Sequence, residues 1–184
     1  MFVYADNAAT TRLSETALAA MLSCLREQYG NPSSLHAAGQ AASGVLVRAR
    51  ETMARLLGCA PHELVFTSSG SESDNQALLS AAALGAAQGR RHIVSTAFEH
   101  HAVLHTLNRL RARGFDVTLL PVHDDGVVTA ADIAAALRPD TCLVSVMYAN
   151  NEIGTIQPAD EIGALCRARG VLFHTDAVQA AGHL

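Results

Sequence analysis

The sequence predicts an α/β fold in which a mostly parallel sheet carries helices on both faces. Beyond residue 60, short apolar runs rich in β-branched residues alternate with longer runs of helical periodicity. The short runs are apolar along their whole length, as strands covered on both faces are. Three helical runs stop at a glycine or a proline, namely Gly114, Pro139 and Gly170. Such alternation of strand and helix is typical of a parallel sheet with helical crossovers.

The first sixty residues predict a different organisation. Two stretches of helical periodicity, 14–30 and 40–58, flank a turn at 31–39, "NPSSLHAAG". The first of these helices starts at a capping serine and ends at a glycine. We therefore expect residues 1–60 to form an N-terminal helical arm, and residues 61–184 to form the sheet domain.

The sheet domain is predicted to contain five strands and four helices. The strands are "ELVFTS" (63–68), "HIVSTA" (92–97), "FDVTLLPV" (115–122), "TCLVSVMYA" (141–149) and "VLFHTDA" (171–177). The helices occupy residues 71–88, 101–114, 129–139 and 158–170. Ligands of such sheets bind beyond the carboxyl ends of the strands, so functional residues should follow directly after the strands.

Composition indicates a soluble globular protein. The chain of 184 residues is 49% hydrophobic and 16% charged, and its net charge of −4 favours neither nucleic acid nor an anionic membrane as a partner. The N-terminus lacks a signal-peptide pattern, and the alanine-rich runs are shorter than the ~20 residues of a membrane span. The four cysteines have no metal-binding spacing. We expect reduced thiols and a cytoplasmic protein.

The end of the first predicted strand opens through a loop of small residues, "TSSGSESDN", directly into a helix. The backbone amides of Gly70 and Ser71 would point outward at the positive end of the helix dipole, which suits a phosphate. Ser69 and Glu72 also match a capping box, which would explain this loop without any ligand.

Histidines follow the second predicted strand. Glu99, His100 and His101 stand where a helix begins, and His101 and His105 are four residues apart on that helix. This pair could hold a metal, but no third ligand is indicated, so a solvated helix face is favoured and no metal site is predicted. At a strand end, His100 could lie flat on an aromatic ring or move a proton.

Amides and an acid follow the last two strands. Asn150 and Asn151 come after the fourth strand, where asparagines before a glycine also form ordinary turns. Asp176 and Gln179 come after the fifth strand. An acid at a buried strand end is costly unless it meets a cation or a strong donor.

Taken together, the strand ends offer the set of groups that pyridoxal phosphate requires. The phosphate of this cofactor takes a helix N-terminus, its ring nitrogen a carboxylate, and its phenolic oxygen an amide or hydroxyl donor. Asp176 would then hold the ring nitrogen and Gln179 the phenolic oxygen. The four strand ends together offer a phosphate cradle, a flat histidine, an amide and a carboxylate, and this coincidence is more specific than any one of them.

The sequence resembles the group I cysteine desulfurases, which belong to the class V aminotransferase family of pyridoxal-phosphate enzymes. The resemblance implies that Gly70 and Ser71 bind the phosphate, that His100 stacks on the ring, that Asn151 and Gln179 make polar contacts, and that Asp176 pairs with the ring nitrogen. The matching stretches follow the family order along the whole chain: "YADNAATT", "GNPSSLHAAG", "FTSSGSESDN", "EHHAVL", "NNEIGTIQP" and "HTDAVQAAG".

The resemblance also implies an activity. Enzymes of this group convert L-cysteine to L-alanine and pass the sulfur, as a persulfide, to iron–sulfur cluster assembly or other acceptors, and they are expected to be homodimers. Their fold is the fold type I large domain, of which residues 61–184 would be the N-terminal part. Residues 1–60 would then form the arm and part of the small domain.

The sequence departs from the family pattern in one respect. All thirteen basic residues are arginine, and there is no lysine. The family's Schiff-base lysine, its persulfide-forming cysteine and its carboxylate-binding arginine lie beyond the position that matches Leu184. We therefore expect this chain to be roughly the first half of such an enzyme and to be inactive alone.

Two alternatives remain at this stage. A non-catalytic remnant, or a fragment that binds a partner, would also keep these motifs without a lysine. A nucleotide-binding α/β domain would use "SSGS" for another phosphate, but neither GxGxxG nor GxxxxGK[ST] follows a strand.

The resemblance also places the strands. "ELVFTS" would lie at one edge of the sheet, beside strands that only the second half of the fold supplies. It would therefore expose unpaired backbone groups, whereas the other four strands would pair with one another.

Overall fold

A computed structural model describes all 184 residues. The chain divides into two compact units, Met1–Phe66 and Thr67–Leu184. Each unit is built from a different kind of packing. The first contains helices alone, whereas the second contains a sheet with helices.

The first unit consists of α1 (Glu15–Glu27), α2 (Ala37–Leu57) and a 3₁₀ turn at Pro61–Glu63. Helix α1 begins at Ser14, whose hydroxyl accepts the Ala17 N–H at 3.2 Å. Helix α2 begins three residues earlier than the sequence predicts, inside the expected turn. The reason is a cap that the pattern does not reveal, since His36 Nδ1 accepts the Gly39 N–H at 3.3 Å.

The second unit is an α/β domain. Four parallel strands pair in the order β2-β1-β3-β4. The strands are β1 (His92–Thr96), β2 (Asp116–Leu120), β3 (Thr141–Ser145) and β4 (Leu172–His174). The helices are α3 (Gly70–Ala87), α4 (His101–Arg111), α5 (Ala130–Ala136) and α6 (Ala159–Arg169). The predicted fold class is confirmed, as is the pairing of these four strands with one another.

Two hydrophobic cores cover the two faces of the sheet. Alternate residues of each central strand enter opposite cores, as Ile93 and Val94 of β1 show. One core receives α3 and α4, for example through Leu78 and Leu107. The other receives α5 and α6, for example through Ile133. This double burial explains why the strands are apolar along their length.

A buried histidine links the three strands at the amino end of the sheet. His92 is fully buried, and its Nδ1 and Nε2 lie 2.8 Å from Thr141 Oγ1 and 2.9 Å from Thr118 Oγ1. Burial, with a smaller effect of Arg138, lowers the pKa of His92, so the neutral ring is favoured. Both ring nitrogens are thereby satisfied inside the core.

No strand forms at 63–68, whereas the exposed and unpaired backbone expected for this segment is confirmed. Leu64 has an extended backbone, but no strand pairs with it, and Val65 is 62% exposed. Instead, the Arg50 guanidinium donates to the Leu64 carbonyl and lies 4.7 Å from the Phe66 ring centroid. The apolar pattern predicts an extended backbone, but a strand also needs a partner, and partners are set by the fold.

Two further observations complete the description. No helix combines the length and the hydropathy that crossing a bilayer would require. The four cysteines are free thiols, and Cys142 and Cys166 are buried in the two cores.

We predict that the amides of Leu64–Phe66 exchange with solvent much faster than those of Leu143–Ser145. The former have no paired strand, whereas the latter pair on both sides in the sheet. Hydrogen exchange followed by mass spectrometry measures the difference. Equal and strong protection of both segments would show that residues 64–66 have a strand partner in solution.

Candidate functional site

The ends of the parallel strands bring the predicted site segments to one edge of the sheet. Beyond β3, the Tyr148 N–H donates to the Asp176 carbonyl at 2.8 Å, which joins this segment to the end of β4. On its other side, Asn150 Nδ2 donates to the Phe98 carbonyl at 3.0 Å, which joins it to the end of β1. The predicted strand residues past Ser145 and His174 therefore form connections of this edge and are not paired sheet.

Helix α3 begins at the same edge. Ser69 is its N-cap and accepts the Glu72 N–H at 3.2 Å. The Glu72 carboxylate turns back to Ser68 and accepts the backbone N–H at 2.7 Å and the hydroxyl at 2.6 Å, which lowers the pKa of Glu72. The amides of Gly70 and Ser71 precede the first intrahelical bonds, so they stay available to an anion.

Gly70 allows the segment after β4 to approach α3 closely. A Cβ atom at this position would lie 2.6 Å from Cγ2 of Val178. Gln179 is the next residue along this segment and is half-buried. The glycine therefore lets the start of α3 and the segment that carries Gln179 share one edge.

His100 is the N-cap of α4. Its Nδ1 accepts the Ala102 N–H at 3.1 Å. In the neutral ring, the proton is therefore on Nε2. This bond fixes the orientation of an otherwise exposed ring, and it leaves one nitrogen free to donate.

Asp176 is buried and lies close to His100. Its Oδ1 accepts the Val178 N–H at 3.0 Å, and its side chain is 9% exposed. One carboxylate oxygen of Asp74, one of Asp176 and one ring nitrogen of His100 all lie within 4.8 Å of one another. Carboxylate oxygens held this close together favour a cation beside them, and His174 lies next to Asp74.

Asp74 and His174 were not identified from the sequence. His174 Nε2 lies 3.5 Å from Asp74 Oδ1, and His174 Nδ1 lies 2.9 Å from the buried Ser145 Oγ. These two side-chain contacts connect α3, β4 and β3 next to the cluster, to which Asp74 also belongs. One signal was present, since Asp74 stands four residues after Gly70 and therefore on the same face of α3.

Asn151 and His100 line the same cavity, of about 230 Å³, together with Glu99 and Asn150. Asn150 itself forms a turn, because its Oδ1 accepts the N–H groups of Glu152 and Ile153 at 2.8 and 2.9 Å. It therefore shapes the loop, and Asn151 next to it is half-buried at the cavity wall.

Glu99 is the most unusual titratable group of this edge. It is almost fully buried, and burial raises its pKa to about 7, although hydrogen bonds from Thr96 and Met147 oppose the shift. The sequence pattern placed Glu99 only at the start of a helix. Its burial depends on contacts between strands that no local pattern contains.

The fold and the edge define a class of protein, an α/β domain whose polar side chains gather at the carboxyl ends of its parallel strands, where such folds bind their ligands. The model of the aminotransferase class-V family matches residues 3–184. The chain belongs to this family.

Similar proteins share the fold at substantial identity. The chain is 46% identical over 182 residues to cysteine desulfurase IscS of Methanosarcina thermophila, covering 99% of the chain and 45% of that protein. A NifS-like protein structure has a TM-score of 0.93 and 42% identity, covering 98% of the chain and 50% of the other. SspA in complex with cysteine has a TM-score of 0.88 and 36% identity, covering 95% and 50%. The chain thus spans about half the length of these relatives.

We predict that Gly70→Ala destabilises the second unit by about 0.5–1.5 kcal/mol, because its methyl group would force the exposed, β-branched Val178 off its preferred rotamer. Thermal or urea unfolding measures the loss. Val178→Ala in the same chain should restore most of it. Gly163→Ala is the matched control, since its Cβ would meet Phe173 at an ordinary 3.4 Å. A Gly70→Ala variant as stable as this control would contradict the close approach.

Proposed function

We propose that this chain forms the pyridoxal-phosphate-binding part of a cysteine desulfurase. The reaction breaks the carbon–sulfur bond of L-cysteine, releases L-alanine and leaves the sulfur on an acceptor thiol as a persulfide. The observation that carries the proposal is the gathering of Asp74, His100 and Asp176 within 4.8 Å at the sheet edge where α3 begins. The relatives' names and the cysteine complex of a similar structure support it.

The start of α3 fits the phosphate of the cofactor. Gly70 and Ser71 would bind it through backbone amides that have no partner within the helix. Because Gly70 has no side chain, Val178 can lie against the start of α3. The Glu72 carboxylate is held at Ser68, away from these two amides.

Asp176 fits the ring nitrogen. Its Oδ1 already accepts the Val178 N–H, which fixes the carboxylate, and Oδ2 remains to bind a protonated nitrogen. The second carboxylate, that of Asp74, lies beside the His174 ring at 3.5 Å. A cationic ring nitrogen near Asp176 would relieve the repulsion between the two acids.

The remaining predicted residues surround this position. His100 would stack on the ring and transfer a proton through Nε2, since Nδ1 is occupied by the Ala102 N–H. Gln179 would donate to the phenolic oxygen, and Asn151 would supply a further polar contact at the cavity wall.

The bound cofactor supplies an electron sink for the substrate's α-carbon. The residues of this chain bind and orient it, keep its ring nitrogen protonated through Asp176, and move a proton through His100. None of the 184 residues is a lysine, so we assign the cofactor-linking lysine to residues outside this chain. The resemblance assigns the sulfur-accepting cysteine there as well, since none of Cys24, Cys59, Cys142 and Cys166 matches its position. We therefore propose that the chain alone is inactive.

The proposal includes the setting of the enzyme. The substrate is L-cysteine, and the sulfur acceptor is a thiol protein, with iron–sulfur cluster assembly as the destination. We further propose a cytoplasmic homodimer, on the grounds of free cysteine thiols and the resemblance to the group. The activity is tested by measuring alanine production from L-cysteine in an enzyme that contains this chain. Production is expected with bound pyridoxal phosphate and not in the apoenzyme.

We predict that Asp176→Asn, in an active enzyme that contains this chain, still binds pyridoxal phosphate but nearly abolishes turnover. An amide cannot keep the ring nitrogen protonated, so the electron sink is lost. Alanine production and the cofactor absorbance measure the two effects. Asp160→Asn, an exposed change on α6, should be neutral. Near wild-type alanine production by Asp176→Asn would remove Asp176 from this role.

We predict that His100→Ala and His100→Asn both lower turnover by about a hundredfold or more, because neither side chain can transfer the proton. The two variants should differ in stability. Asparagine can still cap α4, whereas alanine loses the bond to the Ala102 N–H and about 0.5–2 kcal/mol. Turnover and thermal unfolding are measured together. An asparagine variant with full turnover would mark His100 as a cap alone.

A further inference from the structure

Glu99 joins two strand ends through a buried carboxyl group. Its Oε1 accepts the Thr96 hydroxyl at 2.6 Å and the Met147 N–H at 2.9 Å. Thr96 is the last residue of β1, and Met147 lies just beyond the end of β3. The side chain is only 4% exposed. The carboxyl group therefore continues the connection between these strands where backbone pairing has stopped.

Two predicted site residues directly follow this connection. His100 is the next residue after Glu99, and Asn151 is the next residue after Asn150. The Asn150 amide donates to the Phe98 carbonyl at 3.0 Å, so the segment before His100 is held from the β3 side at two consecutive residues. Movement of Glu99 would shift the point at which α4 and its capping histidine begin.

The second oxygen of Glu99 indicates the charge of this carboxyl group. Oε2 is buried and has no hydrogen-bond partner. A neutral acid keeps Oε1 as the acceptor for both donors and places its proton on Oε2. Leaving a neutral hydroxyl without a partner costs less than leaving a charged oxygen without one.

The electrostatic surroundings of Glu99 agree with a neutral acid. Burial is the largest influence and raises its pKa to about 7, while the bonds from Thr96 and Met147 lower it. Two titratable side chains also act on it, one in the last residue of β4 and one just beyond that strand. His174 lowers the pKa of Glu99, and Asp176 raises it.

We propose that Glu99 is a positioning residue that, as a neutral carboxylic acid, fixes His100 against the ends of β1 and β3. The part that concerns His100 in catalysis rests on the proposed function. The link between the strand ends does not require it. Glu99 acts through His100 and is not itself assigned to bind the substrate or the cofactor.

The charge of Glu99 is tested in apoenzyme, so that this arm is independent of the proposed function. The folded pKa of about 7 exceeds the ordinary value of roughly 4.3, so the wild-type protein should lose stability as pH rises between these values, and the loss should level off above 7. Glu99→Gln has no proton to lose. The Tm of Glu99→Gln minus the Tm of wild type should therefore increase across this pH range and then become constant. A difference that does not change with pH would overturn the neutral acid.

The positioning role is tested in an active enzyme that contains this chain. Glu99→Gln keeps the acceptor oxygen, so its turnover and its affinity for pyridoxal phosphate should stay within about threefold of wild type. Glu99→Ala should lower turnover at least tenfold. Exposed Glu161→Gln on α6 is the matched control and should change neither quantity.

Two results would overturn the positioning role. One is a glutamine variant as impaired as the alanine variant, and the other is an alanine variant equal to wild type. If Glu99→Ala does not fold, the turnover of Glu99→Gln is compared with that of the Glu161→Gln control. A value within about threefold of the control supports the positioning role, and a larger loss overturns it. A wild-type enzyme that binds no pyridoxal phosphate would refute the proposed function, and the apoenzyme measurement would still decide the charge of Glu99.

Discussion

The candidate site depends on the segment that continues β3 beyond its last residue, Ser145. Its consecutive amides point to opposite sides, so that Met147 donates to the Glu99 carboxyl group and Tyr148 to the Asp176 carbonyl. One extended segment thereby fixes the ends of β1 and β4 on its two flanks. The side chains that follow each strand are held at a common edge because this central segment continues after sheet pairing ends.

Buried polar side chains hold the rest of this edge in place. Gln157 is buried, and its amide bridges the turn before α5, accepting the Val128 N–H and donating to the Gly126 carbonyl, both at 2.9 Å. Its own backbone N–H donates to the Tyr148 carbonyl at 2.8 Å. The loop that carries Asn151 is therefore closed by a satisfied amide, and such amides specify one arrangement of a loop.

The sequence was sufficient for the parts of the fold that depend on local pattern. Periodicity identified α3 to α6 and the four paired strands, and the sequence position of Asp176 just past a strand was enough to place it at the carboxyl edge of the sheet. Residues 63–68 failed because an apolar run does not specify its partner. Glu99 and Asp74 were missed for a related reason. Their burial arises from neighbours distant in the chain, and a polar residue at the start of a helix ordinarily faces solvent.

The strand order has a consequence for how the domain folds. The buried His92 reaches Thr118 across 26 positions of the chain but Thr141 across 49, so β1 can find β2 over a shorter loop than β3. Closing a loop twice as long costs only about 0.6 kcal/mol more, yet it must be met before the contacts form. The pair of strands β1 and β2 can therefore assemble early. The edge that brings together the site residues, from Gly70 to Gln179, is complete only when the last strand has docked. Binding competence at this edge would thus report the end of folding rather than its beginning.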